Sequence, residues 1–261
     1  MNVKVAIAGG GPAGMLLGLL LARAGIEVAV LEKHADFLRD FRGDTVHPST
    51  LDIIWELGLL NAFLALPHSE ITKFSAVVDD CVFPFVDLSH VPTHCKFLVF
   101  MPQWDFLNFL AEQGRRYSAF HLLMQTEAIQ PLKNGNRVAG IRARTPQGER
   151  EIFADLTVGA DGRHSTLRET AQLPATDFGA PMDVLWLRLP REPSDPGQVF
   201  GYIEDGKSCV MLTRDTYWQC AYVIPKGSFE SIKARGLDDF RAGVAQQAPF
   251  VADRIGALQS W

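Results

Sequence analysis

The sequence has 261 residues, which allows one large α/β domain or a nucleotide-binding domain joined to a smaller one. Hydrophobic residues make up 47% and charged residues 21%, as in soluble globular proteins with a sizeable core. The net charge of −5 argues against a nucleic-acid-binding protein, which would need clustered Lys and Arg. The four cysteines are far apart and lack metal-ligand spacing, so we expect reduced thiols, a cytoplasmic location and no metal site.

The first predicted element is a buried strand over residues 3–8, because apolar residues occupy alternate positions there. A glycine-rich turn follows at once and fits the pattern G-x-G-x-x-G on Gly9, Gly11 and Gly14. Gly9 permits a tight turn out of the strand, and Gly11 lets the backbone approach a pyrophosphate. Gly14 lets the next helix pack closely on the sheet. The pattern therefore predicts a dinucleotide-binding turn.

The first predicted helix has Pro12 and Ala13 in its first turn and ends near Ala24. Proline suits a first turn, because its missing N–H would have no partner there. The free N–H groups of this turn, aided by the helix dipole, favour a bound phosphate. The glycines and Pro12 also interrupt the apolar run of residues 3–31, so we predict neither an export signal nor a membrane span.

The second predicted strand, residues 27–31, delivers Glu32 at its C-terminal end, with Lys33 directly after it. A carboxylate in this place accepts hydrogen bonds from an adenosine ribose and repels a 2′-phosphate, which disfavours NADP in the groove. We therefore include both residues in the candidate cofactor site. The βαβ unit by itself does not distinguish FAD from NAD.

The remaining chain shows helical and strand periodicities without an internal repeat or a low-complexity tract. Helices are predicted over residues 50–57, 103–116 and 229–249. Strands are predicted over residues 74–78, 82–86, 97–100, 121–124, 138–144, 150–158, 184–189, 199–203, 209–213 and 218–224. The later strands are aromatic-rich and bounded by Pro or Gly, which predicts a mostly antiparallel sheet.

A second motif occupies residues 156–168. A buried strand ends in Ala160, the turn Asp161-Gly162 follows, and a helix begins near Ser165. At this point the chain resembles the flavin-dependent aromatic hydroxylases, the single-component FAD monooxygenases of the p-hydroxybenzoate hydroxylase type. Their Asp-Gly motif is similar to Asp161-Gly162 and its neighbours, and the resemblance implies that both residues bind FAD.

The resemblance implies a cofactor role for two further residues. Residues 41–48 are similar to the family segment in which an arginine meets the FAD pyrophosphate, here Arg42. Gln103 stands at the start of the helix whose first residue contacts the ribityl and phosphate region of the flavin. In such enzymes NAD(P)H binds transiently as the co-substrate, which agrees with the lack of a second Rossmann motif.

The implied fold is α/β, with a Rossmann-like FAD-binding domain (a GxGxxG βαβ unit in a parallel sheet) interleaved with a mostly antiparallel β-sheet substrate domain. On this basis residues 1–70 and 101–175 form the FAD-binding domain. Residues 71–100 and 176–261 supply the substrate-domain sheet and the helix after it.

One departure from the family concerns the end of the chain. Such enzymes carry a Gly-Asp motif, followed by Ala-Ala-His, downstream of the region that matches Ser260-Trp261. The present sequence stops at Trp261 without it, so we expect a chain truncated relative to the family. An incomplete sheet favours self-association, and the missing motif weakens FAD binding.

The resemblance implies an NAD(P)H-dependent monooxygenase that hydroxylates an aromatic or polyketide-like small molecule through a flavin C4a-hydroperoxide. The chemistry then belongs to the cofactor, and we nominate no catalytic residue. A catalytically incomplete FAD-binding fragment and a related FAD-dependent reductase remain as alternatives. A flavin halogenase is disfavoured, because Trp218 to Pro225 does not fit the W-x-W-x-I-P motif.

Overall fold

The computed structural model describes residues 1–38, 45–78, 81–195, 199–204, 207–214 and 216–261. This part of the chain contains α-helices, β-strands and two 3-10 helices, at Leu88–His90 and Pro249–Ala257. In chain order the main elements are β1 (Asn2–Ala8), α1 (Pro12–Arg23), β2 (Val28–Leu31), β3 (Thr45–Val46), α2 (Pro48–Glu56), α3 (Leu60–Leu64), β4 (Ser69–Ile71), β5 (Lys73–Val78), β6 (Cys81–Asp87), β7 (Leu98–Phe100), α4 (Gln103–Gly114), β8 (Phe120–Leu123), β9 (Glu127–Asn134), β10 (Arg137–Thr145), β11 (Gly148–Gly159), α5 (Thr166–Thr170), β12 (Met182–Pro190), β13 (Val199–Glu204), β14 (Lys207–Thr213), β15 (Tyr217–Pro225), α6 (Phe229–Arg235) and α7 (Leu237–Gln247).

The chain divides into two compact units, each made of two separate stretches. The first unit comprises Met1–Gly43 and Pro102–Asp177, and the second comprises Asp44–Met101 and Phe178–Trp261. The assignment of FAD-binding and substrate domains to particular residues stays a prediction. No helix in the described ranges is long and apolar enough to cross a membrane.

A six-stranded sheet forms the first unit, in the order β8-β2-β1-β11-β10-β9. The four strands from β8 to β11 are parallel, and β10 and β9 continue the sheet antiparallel. Helices α1 and α4 pack against each other. Close approach of α1 to the sheet depends on Gly18, because a Cβ atom there would lie 2.5 Å from a methyl group of Val30. This sheet brings the carboxyl ends of β1, β2 and β11 to one edge.

The second unit contains a six-stranded sheet in the order β12-β15-β14-β13-β5-β6. All its neighbouring strands are antiparallel except the pair β13 and β5. Helix α7 and the 3-10 helix Pro249–Ala257 supply Phe240, Val244 and Val251 to a core with Trp218 and Tyr222 of β15. A three-stranded antiparallel sheet, β3-β7-β4, completes the unit. The predicted α/β class is confirmed: the first sheet contains four neighbouring parallel strands, and the second sheet is mostly antiparallel.

Two of the differences from the sequence-based prediction have clear physical reasons. The helix predicted over residues 229–249 is two helices, because Gly236 adopts a φ of +99°, which an α-helix does not accommodate. Strand β9 was not predicted, since it carries Pro131 and several polar residues. Proline is tolerated there because β9 is the edge strand of its sheet.

Candidate functional site

A cleft of about 240 Å³ opens at the carboxyl edge of the first sheet. Its walls come from the segments that follow β1, β2 and β11 and from the start of β9. The lining residues are Gly9, Gly10, Gly11, Glu32, Lys33, His34, Glu127, Ala128, Ala160, Asp161, Gly162, His164 and Thr166. Ligands of open parallel sheets bind at this edge, outside the carboxyl ends of the strands.

The glycine-rich turn has the geometry that its sequence pattern predicts. Gly9 has a φ of +104°, and a Cβ atom on it would lie 2.3 Å from the carbonyl oxygen of Ala160. A Cβ atom on Gly14 would lie 2.0 Å from the carbonyl oxygen of Gly9. At Gly11, by contrast, an added Cβ atom would meet nothing within 4 Å. Gly9 and Gly14 are therefore required by packing, whereas Gly11 leaves open space where the turn lines the cleft.

Helix α1 begins at this turn, with Gly11 as its N-cap and Pro12 as its first residue. Among the residues that the structure describes, no side chain caps this helix end, and its first turn holds no acidic residue. The first N–H groups of an α-helix have no partner within the helix. The end of α1 therefore favours an anion such as a pyrophosphate.

Glu32 follows β2 and is buried at the other side of the glycine turn. Its Oε1 atom accepts a hydrogen bond of 2.9 Å from the backbone N–H of His34 and lies 2.6 Å from His34 Nδ1. A Cβ atom on Gly10 would lie 2.7 Å from the Cβ of Glu32, so the carboxylate stands directly beside the turn. The site thus pairs a carboxylate, suited to ribose hydroxyls, with a helix end suited to phosphates.

The loop after β11 is held by its own side chains. Asp161 Oδ1 accepts a hydrogen bond of 2.5 Å from the Ser165 hydroxyl, and Asp161 Oδ2 accepts one of 3.2 Å from the backbone N–H of Leu167. Ser165 in turn caps α5 by accepting from the backbone N–H of Arg168 at 3.0 Å. Gly162 has a φ of +86°, which favours glycine at this turn. These bonds fix the shape of one cleft wall.

The structure places the predicted cofactor residues as follows. The cleft brings together Gly9, Gly11, Glu32, Lys33, Asp161 and Gly162. The first turn of α1 contains Pro12, Ala13 and Gly14. Gln103 is the first residue of α4, as predicted, but it does not line this cleft. Arg42 lies outside the described residues.

Sequence reasoning missed Glu127 and Ala128, at the start of β9, and His34 after β2. Their segments are joined by backbone hydrogen bonds, from Gln125 to the carbonyl of His34 at 2.9 Å and from Thr126 to the carbonyl of Glu32 at 2.8 Å. The available signal was the predicted strand at residues 121–124. If that strand is placed parallel to β2, the residues after it reach the same sheet edge as Glu32.

Comparisons with known proteins agree with this geometry. The family described as "FAD binding domain" matches residues 2–253. The 6-methylpretetramide 4-monooxygenase of Streptomyces rimosus is 26% identical over 256 residues, which cover 97% of this chain and 61% of that protein. An uncharacterized aromatic compound monooxygenase of Bacillus subtilis is 29% identical over 179 residues, which cover 68% of this chain and 35% of that protein.

Among solved structures, a probable FAD-dependent monooxygenase from Pseudomonas aeruginosa superposes with a TM-score of 0.81 at 20% identity. The match covers 100% of this chain and 71% of that one. This chain therefore belongs to the FAD-binding domain family, and the resemblance to FAD-dependent monooxygenases is confirmed. It spans 61% and 35% of the lengths of the two curated relatives named above.

Proposed function

We propose that this chain is the FAD-binding region of a monooxygenase that hydroxylates an aromatic or polyketide-like small molecule, with NAD(P)H as co-substrate. The observation that carries the proposal is the cleft, where the G-x-G-x-x-G turn, Glu32 and the Asp161-Gly162 loop meet in a chain of the FAD-binding domain family. The names of the relatives support monooxygenation rather than reduction alone.

The residues of the cleft fit the adenosine diphosphate half of FAD. We place the adenosine ribose against Glu32, whose carboxylate accepts hydrogen bonds from hydroxyl groups. The pyrophosphate belongs at the first turn of α1, over the open space at Gly11. Lys33 and the Asp161-Gly162 loop complete the walls. We also keep Arg42 and Gln103 as proposed FAD contacts.

Bound FAD supplies the redox and oxygen-transfer chemistry of such a monooxygenase. The residues of this chain bind and orient the cofactor: the α1 N–H groups hold its phosphates, and Glu32 holds its ribose. For the second unit we propose a substrate-binding role, supported by the aromatic residues of its sheet. Trp218 and Tyr222 are buried in the core with residues of α7, whereas Phe83 and Phe85 are exposed.

We also propose that copies of this chain associate through β11. This strand pairs with β10 as far as Phe153 and with β1 from Phe153 to Gly159. In the described part of the chain, the other edge of residues 154–159 has no strand partner. Leu156 on this strand is 56% exposed. An open strand edge with exposed apolar side chains favours pairing with another copy.

Sedimentation equilibrium tests the association. We expect a dimer for the wild type and a monomer for Leu156→Lys; a monomeric wild type would contradict the proposal.

The free cysteines support a reducing, cytoplasmic location.

The function itself is tested by the visible spectrum and by oxygen uptake. The purified chain mixed with FAD should retain a bound, yellow flavin after gel filtration. With NAD(P)H and aromatic compounds, a monooxygenase shows substrate-stimulated oxygen uptake coupled to a hydroxylated product. NAD(P)H oxidation with reduction of the organic compound, and with no oxygen incorporated into it, would instead show a reductase.

A further inference from the structure

Glu32 and His34 form a tight pair at the cleft. The same oxygen, Glu32 Oε1, accepts from the His34 backbone N–H at 2.9 Å and lies 2.6 Å from the His34 ring nitrogen Nδ1. The Glu32 side chain is 9% exposed and that of His34 is 47% exposed. A contact this short between a carboxylate and an imidazole nitrogen requires a proton between them. His34 Nδ1 therefore donates a charge-assisted hydrogen bond.

The backbone around the pair is anchored on both sides. The Glu32 N–H donates to the carbonyl of Leu123 at 2.9 Å, and the Glu32 carbonyl accepts from Thr126 at 2.8 Å. The His34 carbonyl accepts from Gln125 at 2.9 Å. The backbone position of residues 32–34 is thus set by the segment that leads into β9. What His34 adds is the orientation of the carboxylate at the end of the Glu32 side chain.

The second oxygen of Glu32 faces the glycine turn. A Cβ atom on Gly10 would lie 2.9 Å from Glu32 Oε2, and Gly10 lines the cleft. A carboxylate offers roughly four acceptor sites, so it can accept from a ligand hydroxyl together with the bonds from His34. Besides Glu32 and His34, the ionisable side chains that line this cleft in the described part of the chain are Lys33, Glu127, Asp161 and His164.

We propose that His34 is a positioning residue for the adenosine ribose of FAD. Its Nδ1–H holds Glu32 Oε1, so that Oε2 is presented to the ribose hydroxyls. Holding the carboxylate in place before the cofactor arrives removes the entropy cost of ordering it on binding. The inference rests on the proposed placement of the adenosine against Glu32.

The test uses the full chain and two cofactors: FAD, and an FAD analogue with a 2′,3′-dideoxyadenosine. Dissociation constants come from titration followed by flavin fluorescence. We expect His34→Ala to weaken FAD binding about tenfold, because it removes a charge-assisted bond. The same substitution should leave the affinity for the dideoxy analogue unchanged. His34→Asn should restore tight FAD binding, since its amide N–H group takes the place of Nδ1–H.

His34→Phe keeps a ring of similar size without the donor, and it should behave like His34→Ala if the alanine variant folds poorly. His164→Ala is the matched control, because it alters another histidine of the cleft and should change the affinities for both cofactors by the same factor. Equal losses for FAD and the analogue in the His34 variants, or no loss for either, would overturn the proposal.

If the adenosine ribose does not lie against Glu32, the dissociation constants show a different pattern. In that case Glu32→Ala would bind both cofactors as tightly as the wild type does. If Glu32→Ala weakens the binding of FAD but not of the dideoxy analogue, while the His34 variants bind both cofactors as the wild type does, only the proposed role of His34 is overturned.

Discussion

The backbone N–H of Ala160 donates a hydrogen bond of 2.7 Å to the carbonyl oxygen of Ala8. This bond joins the ends of β1 and β11, which are far apart in the sequence, and sets the glycine-rich turn against the Asp161-Gly162 loop. The glycine-rich turn and the Asp161-Gly162 loop therefore line one shared cleft rather than forming two separate ligand-binding loops.

The close approach at this junction predicts that the stability of the fold is unusually sensitive to substitution of Gly9. Gly9→Ala should strongly destabilise the chain, because its added Cβ atom would lie 2.3 Å from the Ala160 carbonyl oxygen at a φ of +104°. Gly148→Ala is the control: Gly148 has a similar φ of +110°, but a Cβ atom there meets nothing within 4 Å. The control should cost only about 1 kcal/mol of backbone strain. If Gly9→Ala and Gly148→Ala have the same midpoint in urea unfolding, the contact with Ala160 is unimportant for stability.

A buried ion pair predicts a second effect on stability. Arg254 Nη2 lies 2.8 Å from Asp195 Oδ1, and the two side chains are 12% and 3% exposed. Asp195 Oδ2 also accepts from the Trp218 indole N–H at 2.8 Å. Asp195→Asn should lower the free energy of unfolding by about 3 kcal/mol, because it removes the buried counter-charge of Arg254 and leaves beside it the exposed carboxylates of Asp253 and Glu192.

The matched control for this pair is Asp239→Asn, which breaks an exposed pair with Arg235 and should change the free energy of unfolding by less than about 0.5 kcal/mol. Urea denaturation of both variants provides the measurement. Similar small changes in the two variants would contradict the assignment of a stabilising buried pair.

The same carboxylate predicts a pH dependence. Burial raises the pKa of Asp195, but hydrogen bonds from the Glu192 backbone, Trp218 and Arg254 outweigh burial and hold the pKa below its ordinary value. A group with a lowered folded-state pKa stabilises the fold fully above its unfolded pKa, near 3.9 for aspartate. That contribution is lost as the pH falls through the folded-state pKa. Below about pH 4, the free energy of unfolding of Asp195→Asn should therefore depend less on pH than that of the wild type.

Thiol reactivity should separate exposed from buried cysteines. Cys81 is exposed, whereas burial raises the pKa of Cys209 to about 12 and also raises that of Cys220. Only thiolates react rapidly with disulfide reagents. We expect Cys81 to be labelled in the native protein at pH 8 and Cys209 and Cys220 only as the chain unfolds. Cys81→Ser should abolish the fast phase, and a fast phase lost in Cys209→Ser would contradict this order.

The parts of the fold that the sequence predicted are those with local causes. Gly9, Gly11 and Gly14 each have a backbone or packing reason that operates within a few residues, so the pattern predicted the turn and α1. Glu32 follows a short apolar strand, and its position at the sheet edge needs only that strand. The start of α4 at Gln103 follows similarly from its apolar periodicity.

The remaining features depend on non-local pairing. Strand β9 forms because its residues lie beside β10, and Pro131 is acceptable because β9 is the edge strand of its sheet in the described part of the chain. Glu127 and Ala128 enter the cleft because β8 pairs with β2, which no local pattern encodes. The break at Gly236 rests on one positive φ within an otherwise helical sequence.

FAD titration of the Gly11→Val variant tests most directly whether the glycine-rich turn holds the pyrophosphate of FAD. A Cβ atom added at Gly11 meets nothing within 4 Å, so we expect the variant to fold as the wild type does, while its side chain occupies the space proposed for the pyrophosphate. Gly256→Val is the matched control, because Gly256 is equally open but lies in the second unit. Gly11→Val should lose FAD binding, whereas Gly256→Val should retain wild-type affinity. Wild-type FAD affinity in a folded Gly11→Val protein would contradict this placement of the pyrophosphate.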